Sequence, residues 1–131
     1  GPSAGFQLHR DEADAVALCA PLTDATRGLI DRDALRAMKD QAFLINVARG
    51  PLVVTDDLLD VMRAGRLAGA GLDVTDPEPL QEDHGLRFLP HVLISPHNAG
   101  RTRESQAEAL LRMHANVLRV LAGEPPLDPV G

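Results

Sequence analysis

The chain has 131 residues, 44% of them hydrophobic and only 2% aromatic, with a formal net charge of −6. That length suits a single domain able to bury a core. Scattered rather than clustered Lys and Arg exclude a nucleic-acid backbone partner, and the absence of Trp and Tyr excludes a stacking platform for single strands. One cysteine, Cys19, excludes an internal disulfide framework and fits a reducing compartment. No stretch approaches the ~20 apolar residues of a membrane helix. Gly1–Arg10 lacks the apolar segment of a signal peptide, and the opening Gly-Pro-Ser is compatible with a tag remnant. The cytoplasm is the default location, and no metal is expected.

Short apolar runs alternate with longer helical stretches. Ala15–Cys19 is a continuous apolar run that reads as a buried strand. Asp31 offers an N-cap for a short helix reaching Met38, with Leu35 and Met38 as its spaced apolar pair. Ala42–Asn46 is the second buried strand. Thr55–Ala64 reads as a helix: Thr55 caps it, Asp56 and Asp57 suit its positive end, and Gly65 supplies the stop. Ala68–Asp73 is a small-residue strand whose glycines suggest close approach by a neighbour or ligand. Pro77 and Pro79 hold an extended loop, and His91–Ser95 forms a fourth strand. The last helix runs from about Thr102 to Leu121, with Ala107, Leu110, Leu111, His114, Val117, Leu118 and Leu121 on one stripe. Gly123 and the Pro125-Pro126 pair end it, leaving an extended tail. Strand–helix–strand alternation predicts an α/β fold with a parallel sheet and right-handed crossovers.

Ligands of open parallel sheets sit beyond the carboxyl ends of the strands, so the residues following each strand are the candidates. Arg49 follows the second strand, Asp73 and Glu78 the third, and His97 the fourth. Adjacent strands lie about 4.8 Å apart, which lets these groups converge on one small molecule. Singly, each has a plainer reading: a surface ion-pair partner for Arg49, a solvated turn residue for Glu78, a turn or capping residue for His97 or Asp73. Their conjunction on one edge is the signal. The trio suits reduction of a 2-keto acid. Arginine matches a carboxylate with two parallel hydrogen bonds. Histidine is the acid–base group of neutral pH, and a carboxylate on its other nitrogen fixes its tautomer.

Four ordered segments resemble the D-isomer-specific 2-hydroxyacid dehydrogenase family, from about Glu12 to the end of the chain. They are Pro21–Ile30, similar to a cofactor-side loop and following helix, Leu44–Gly50, Leu67–Val74 with Glu78-Pro-Leu80, and Val92–Gly100. The tail Gly123–Leu127 has the family's look as well. The resemblance implies a partial Rossmann-type, doubly wound parallel sheet, its second mononucleotide half. It implies NAD(H) as cofactor, with NADP not distinguished, and a small D-2-hydroxy or 2-keto acid as substrate. Arg49 would bind the substrate carboxylate, and His97 would exchange the proton with the carbonyl oxygen. Glu78 would pair with His97 and favour its protonated form. Asp73 would meet the nicotinamide end of NAD. Backbone at Ala20-Pro21, Val47-Ala48 and Asn98–Gly100 would line the cofactor cleft. Two positions depart from the family pattern: Asn98 stands where an aliphatic residue is usual, and Cys19 where His is frequent.

No G-x-G-x-x-G occurs in these 131 residues; Gly69 and Gly71 lack the third glycine and open no helix. The phosphate cradle of the family is therefore not in this sequence. Two explanations are open: a fragment of an ordinary dehydrogenase, or a short protein with an assembly or binding role built on the same half-fold. Either leaves an unpaired sheet edge and an apolar face, so self-association, such as a homodimer, is expected.

Overall fold

In the computed structural model, residues 11–129 are described. The opening Gly1–Arg10, with its tag and signal-peptide readings, and the last two tail residues lie outside the described residues. Read as one domain from its length, the chain divides after Asn98 into two compact units, whose described residues are 11–98 and 99–129.

In the first unit, strands β1 (Ala15–Leu18), β2 (Phe43–Asn46), β3 (Gly69–Leu72) and β4 (Val92–Ile94) form one parallel sheet in the order β1-β2-β3-β4. Each strand falls inside the run expected for it, one or two residues shorter. Register sets the geometry of everything that follows: Leu18, Asn46, Leu72 and Ile94 pair in a single row. Four strands thus finish level, and the segments leaving them start from one line.

The connections are helices α1 (Arg32–Arg36) and α2 (Thr55–Arg63), with single 3₁₀ turns at Gly50–Leu52 and Gly85–Phe88. Asp31 caps α1 as expected, its Oδ1 accepting from Ala34 N at 2.8 Å. Asp56 and Asp57 sit in the first turn of α2, and Gly65, at φ +66°, follows its end. Thr55 is a correction. The N-cap is Val54, which makes no side-chain cap, and the Thr55 hydroxyl instead donates to Asp76 O at 2.7 Å. A tertiary acceptor has outcompeted the local amide. The Pro21–Ile30 segment is a second correction: it carries turns and no helix. Gly28 at φ +64° leaves the helical region there.

Ile30, Leu35, Leu44, Leu52, Leu58 and Leu86 are fully buried and centre a core drawn wholly from the first unit. Burying one such side chain contributes about 2 kcal/mol. The strands were expected to be buried on both faces, and this too is corrected. Leu44 and Asn46 are buried, whereas Phe43 is 50% exposed, Ile45 38% and Leu93 74%. The reason is topological. Right-handed crossovers that always step the same way along a sheet place every connection on one face. The other face of this sheet is apolar and open.

The second unit holds helix α3 (Arg103–Leu121). Thr102 and Ser105 close its N-terminus with a reciprocal capping box, at 3.1 and 3.0 Å. Gly123, at φ +78°, follows its C-terminus. The tail runs back along the helix. Arg112 grips both oxygens of Asp128 at 2.5 and 2.6 Å, and Asn116 accepts from Leu127 N at 2.7 Å. The Arg112 hydrogen bond holds the Asp128 carboxyl below its ordinary range. None of the α3 residues is buried; Leu110, Leu111, Val117 and Leu121 of the expected stripe are all exposed. Among the described residues, no helix is long and apolar enough to cross a membrane.

Candidate active site

The site begins with the row in which Asn46, Leu72 and Ile94 are paired, since the three strand ends launch three turns side by side. Beyond β2, Asn46 shapes the first turn. Its buried amide accepts from Ala48 N at 3.1 Å and donates to Arg49 O at 2.9 Å, an Asx-type closure. The turn leaves Val47 and Arg49 exposed, and the Arg49 guanidinium donates to Ala48 O at 2.7 Å. Gly50 then passes so close to the third turn that a Cβ there would lie 1.9 Å from Thr75 O.

Beyond β3 comes Asp73, 5% exposed. Its Oδ1 accepts from the Ser95 hydroxyl at 2.6 Å and from Asn98 N at 2.9 Å. Its own carbonyl accepts from His97 N at 2.9 Å. The third and fourth turns are therefore laced together through one residue. His97 adopts φ +53°, a left-handed conformation uncommon for any residue but glycine and recurrent at functional sites. Its ring Nδ1 lies 2.6 Å from Glu78 Oε1, both side chains being about half exposed. With Nδ1 committed to the carboxylate, Nε2 is the nitrogen available to exchange a proton. A cleft of about 260 Å³ is lined by Asp73, Thr75, Glu78, Arg87, Ser95 and His97, among others.

The structure thus brings together Glu78, His97, Asp73 and Asn98 from the residues singled out by sequence. Arg49 leaves the same edge but makes no hydrogen bond or ion pair to Glu78 or His97. Ala20 and Pro21 follow β1 on that edge, and Thr26 Oγ1 donates to Pro21 O at 2.8 Å. Gly100 belongs to the second unit and is not placed with the others. The glycines of β3 divide: a Cβ at Gly69 would press on His91 O and the Phe43 ring, whereas Gly71 has only Ile45 within 4.0 Å. Asn46, Ser95 and Arg87 escaped the sequence reading. For Asn46 a signal existed, a polar amide ending an apolar strand just before Arg49. Among the described residues no group of three or more His, Cys, Asp or Glu is disposed to hold a metal ion.

Residues 5–99 match the family model described as D-isomer specific 2-hydroxyacid dehydrogenase, NAD binding domain. The glyoxylate reductase/hydroxypyruvate reductase of Homo sapiens is 40% identical over 114 residues, covering 87% of this chain and 35% of the human protein. The glyoxylate reductase of Thermofilum pendens is 40% identical over 116 residues, covering 88% and 34%. Among solved structures, the TT0316 protein of Thermus thermophilus superposes with a TM-score of 0.91 at 44% identity, covering 96% of this chain and 40% of that one. D-lactate dehydrogenase from Lactobacillus jensenii, with NAD+, superposes at 0.86 and 29% identity, covering 96% and 42%. The chain belongs to the D-isomer-specific 2-hydroxyacid dehydrogenase family, its residues 5–99 matching the model of the NAD-binding domain. It spans about a third of the length of the curated relatives it matches.

The residues present fit the nicotinamide end of that cofactor. A buried carboxylate, Asp73, stands at the carboxyl edge of the sheet beside a His–Glu pair able to move a proton.

Proposed function

We propose that the chain is the catalytic half of an NAD(H)-dependent oxidoreductase that interconverts a small D-2-hydroxy acid and its 2-keto acid. The observation that carries this reading is the Glu78–His97 pair, 2.6 Å apart on the sheet edge beside buried Asp73. When bound, the nicotinamide accepts or supplies the hydride. The work of this chain is positional and protonic. Arg49 binds the substrate carboxylate through its planar fork and polarises the 2-keto group. His97 delivers a proton from Nε2 to the carbonyl oxygen, and in the reverse direction removes it from the hydroxyl. Glu78 keeps the other proton on Nδ1 and stabilises the imidazolium before it donates. Asp73 orients the nicotinamide end, with backbone at Ala20-Pro21, Val47-Ala48 and Asn98 lining the cleft.

The test is keto-acid-dependent oxidation of NADH or NADPH by the full-length protein, with glyoxylate, hydroxypyruvate and pyruvate as probes and the configuration of chiral products determined. Turnover giving D products is the expected result; no oxidation with any of them, or L products, overturns the reading. Arg49→Ala is expected to raise KM for the keto acid and lower kcat together, because the carboxylate contact serves both ground and transition states. Unchanged kinetics in that variant removes Arg49 from the mechanism. The 131-residue chain alone, lacking the phosphate cradle, is expected to show negligible turnover and weak NADH binding by calorimetry.

The second reading, an assembly or binding role, draws on the open apolar face of the sheet. We expect the chain alone to self-associate through that face. Sedimentation should show species larger than a monomer, and serine at both Phe43 and Leu93 should shift them toward monomer. A compact, stable wild-type monomer would contradict this.

A further inference from the structure

The segment carrying Glu78 is a loop, Thr75 to Leu80, and a half-exposed carboxylate on a loop does not hold a 2.6 Å contact unaided. The upstream side of the loop is fastened twice. The Thr55 hydroxyl donates to Asp76 O at 2.7 Å, and the Thr75 hydroxyl to Pro77 O at 2.8 Å. On the downstream side Gln81 O accepts from His84 N at 3.1 Å, and one side chain adds two further ties. From the 3₁₀ turn Gly85–Phe88, Arg87 donates through Nε to Gln81 O at 2.8 Å and through Nη2 to Leu80 O. Leu80 itself is buried in the core, 2% exposed. Arg87 also lines the cleft occupied by Glu78 and His97.

We propose that Arg87 is a positioning residue: by tying the carbonyls of Leu80 and Gln81, it holds Glu78 against Nδ1 of His97. The inference rests on the acid–base reading above. A guanidinium suits the task because its fixed fork of donors engages two successive carbonyls at once. The tie is made by its hydrogen bonds and not by its positive charge. Removing them loosens the loop after Pro79, where only the buried Leu80 side chain and the His84 N–Gln81 O bond remain, and Glu78 then samples positions away from the ring.

Imidazole 15N shifts of the chain, taken at alkaline pH where the His97 ring signals no longer change with pH, read which nitrogen carries the proton. The wild type should hold it on Nδ1, facing Glu78. Glu78→Ala, which removes the acceptor, should relax the ring toward the Nε2–H form, and Arg87→Ala should relax it similarly. Arg87→Lys, which keeps donors for both carbonyls, should stay near the wild type. Should the alanine variant fail to fold, Arg87→Met, which keeps the stem and removes the donors, makes the same comparison. A folded Arg87 variant without side-chain donors that keeps the wild-type tautomer overturns the positioning role. An unchanged tautomer in Glu78→Ala overturns the underlying pair instead. In the full-length enzyme, Arg87→Ala should lower kcat about tenfold, a coupling ordinary for contacting residues, with KM little changed. The same substitution in a Glu78→Gln background should add less than about twofold. A rise in KM with kcat intact would make Arg87 a substrate contact and sink the proposal.

Discussion

His97→Ala is expected to lower kcat for keto-acid reduction by about 10²- to 10⁴-fold, the usual contribution of a positioned acid–base group. The loss follows from geometry. The carbonyl oxygen must gain a proton as hydride arrives, and His97 is paired so that one ring nitrogen is held and the other released. The substitution should leave KM far less affected, since the carboxylate grip is assigned to Arg49. It should also flatten the pH dependence of kcat. Steady-state kinetics of the full-length protein with NADH and glyoxylate measures both. A variant retaining more than about a tenth of wild-type kcat falls outside the range for such a group and would remove His97 from proton transfer.

Gly50→Ala is expected to be the most damaging alanine substitution among the described glycines. The new Cβ would sit 1.9 Å from Thr75 O and 2.2 Å from Thr75 C, backbone atoms that no rotamer change can clear. Turn and loop must separate. Overpacking of this kind costs about 3 kcal/mol at the upper end of its usual range, which in a domain of this size lowers Tm by on the order of 10 °C. Because Thr75 starts the loop that carries Glu78, activity should fall further than stability explains. Gly71→Ala is the control. It meets only Ile45 at 4.0 Å, at an ordinary backbone conformation, and should change stability by less than about 0.5 kcal/mol. Thermal melts of both variants decide the matter. Similar melting temperatures would show that the second and third turns are not packed as described.

What the sequence made legible were features whose causes are local. Four apolar runs became four strands, Asp31 capped its helix and Gly65 ended the next, because pattern and capping act within a few residues. The convergence of Glu78 and His97 was also legible, since a parallel sheet delivers successive strand ends to one edge. The unread features depend on partners distant in sequence. Thr55 looks like a cap until Asp76 O, 21 residues later, is found to take its hydroxyl. The role of Arg87 depends on how a loop folds back, and the left-handed backbone of His97 on the hydrogen bond its amide makes to Asp73 O. The bare face was half legible. Missing neighbours were expected, but the strands still read as buried throughout, because apolar content reports what a strand could bury and not what covers it.

A sheet covered on one side also makes the chain's stability a matter of mass action. Any molecule that lies on Phe43, Ile45 and Leu93 only in the folded state draws the equilibrium toward folding by an amount set by its concentration. If copies of the chain serve as their own cover, its melting temperature is not a constant of the molecule. It should climb as the protein is concentrated and fall on dilution.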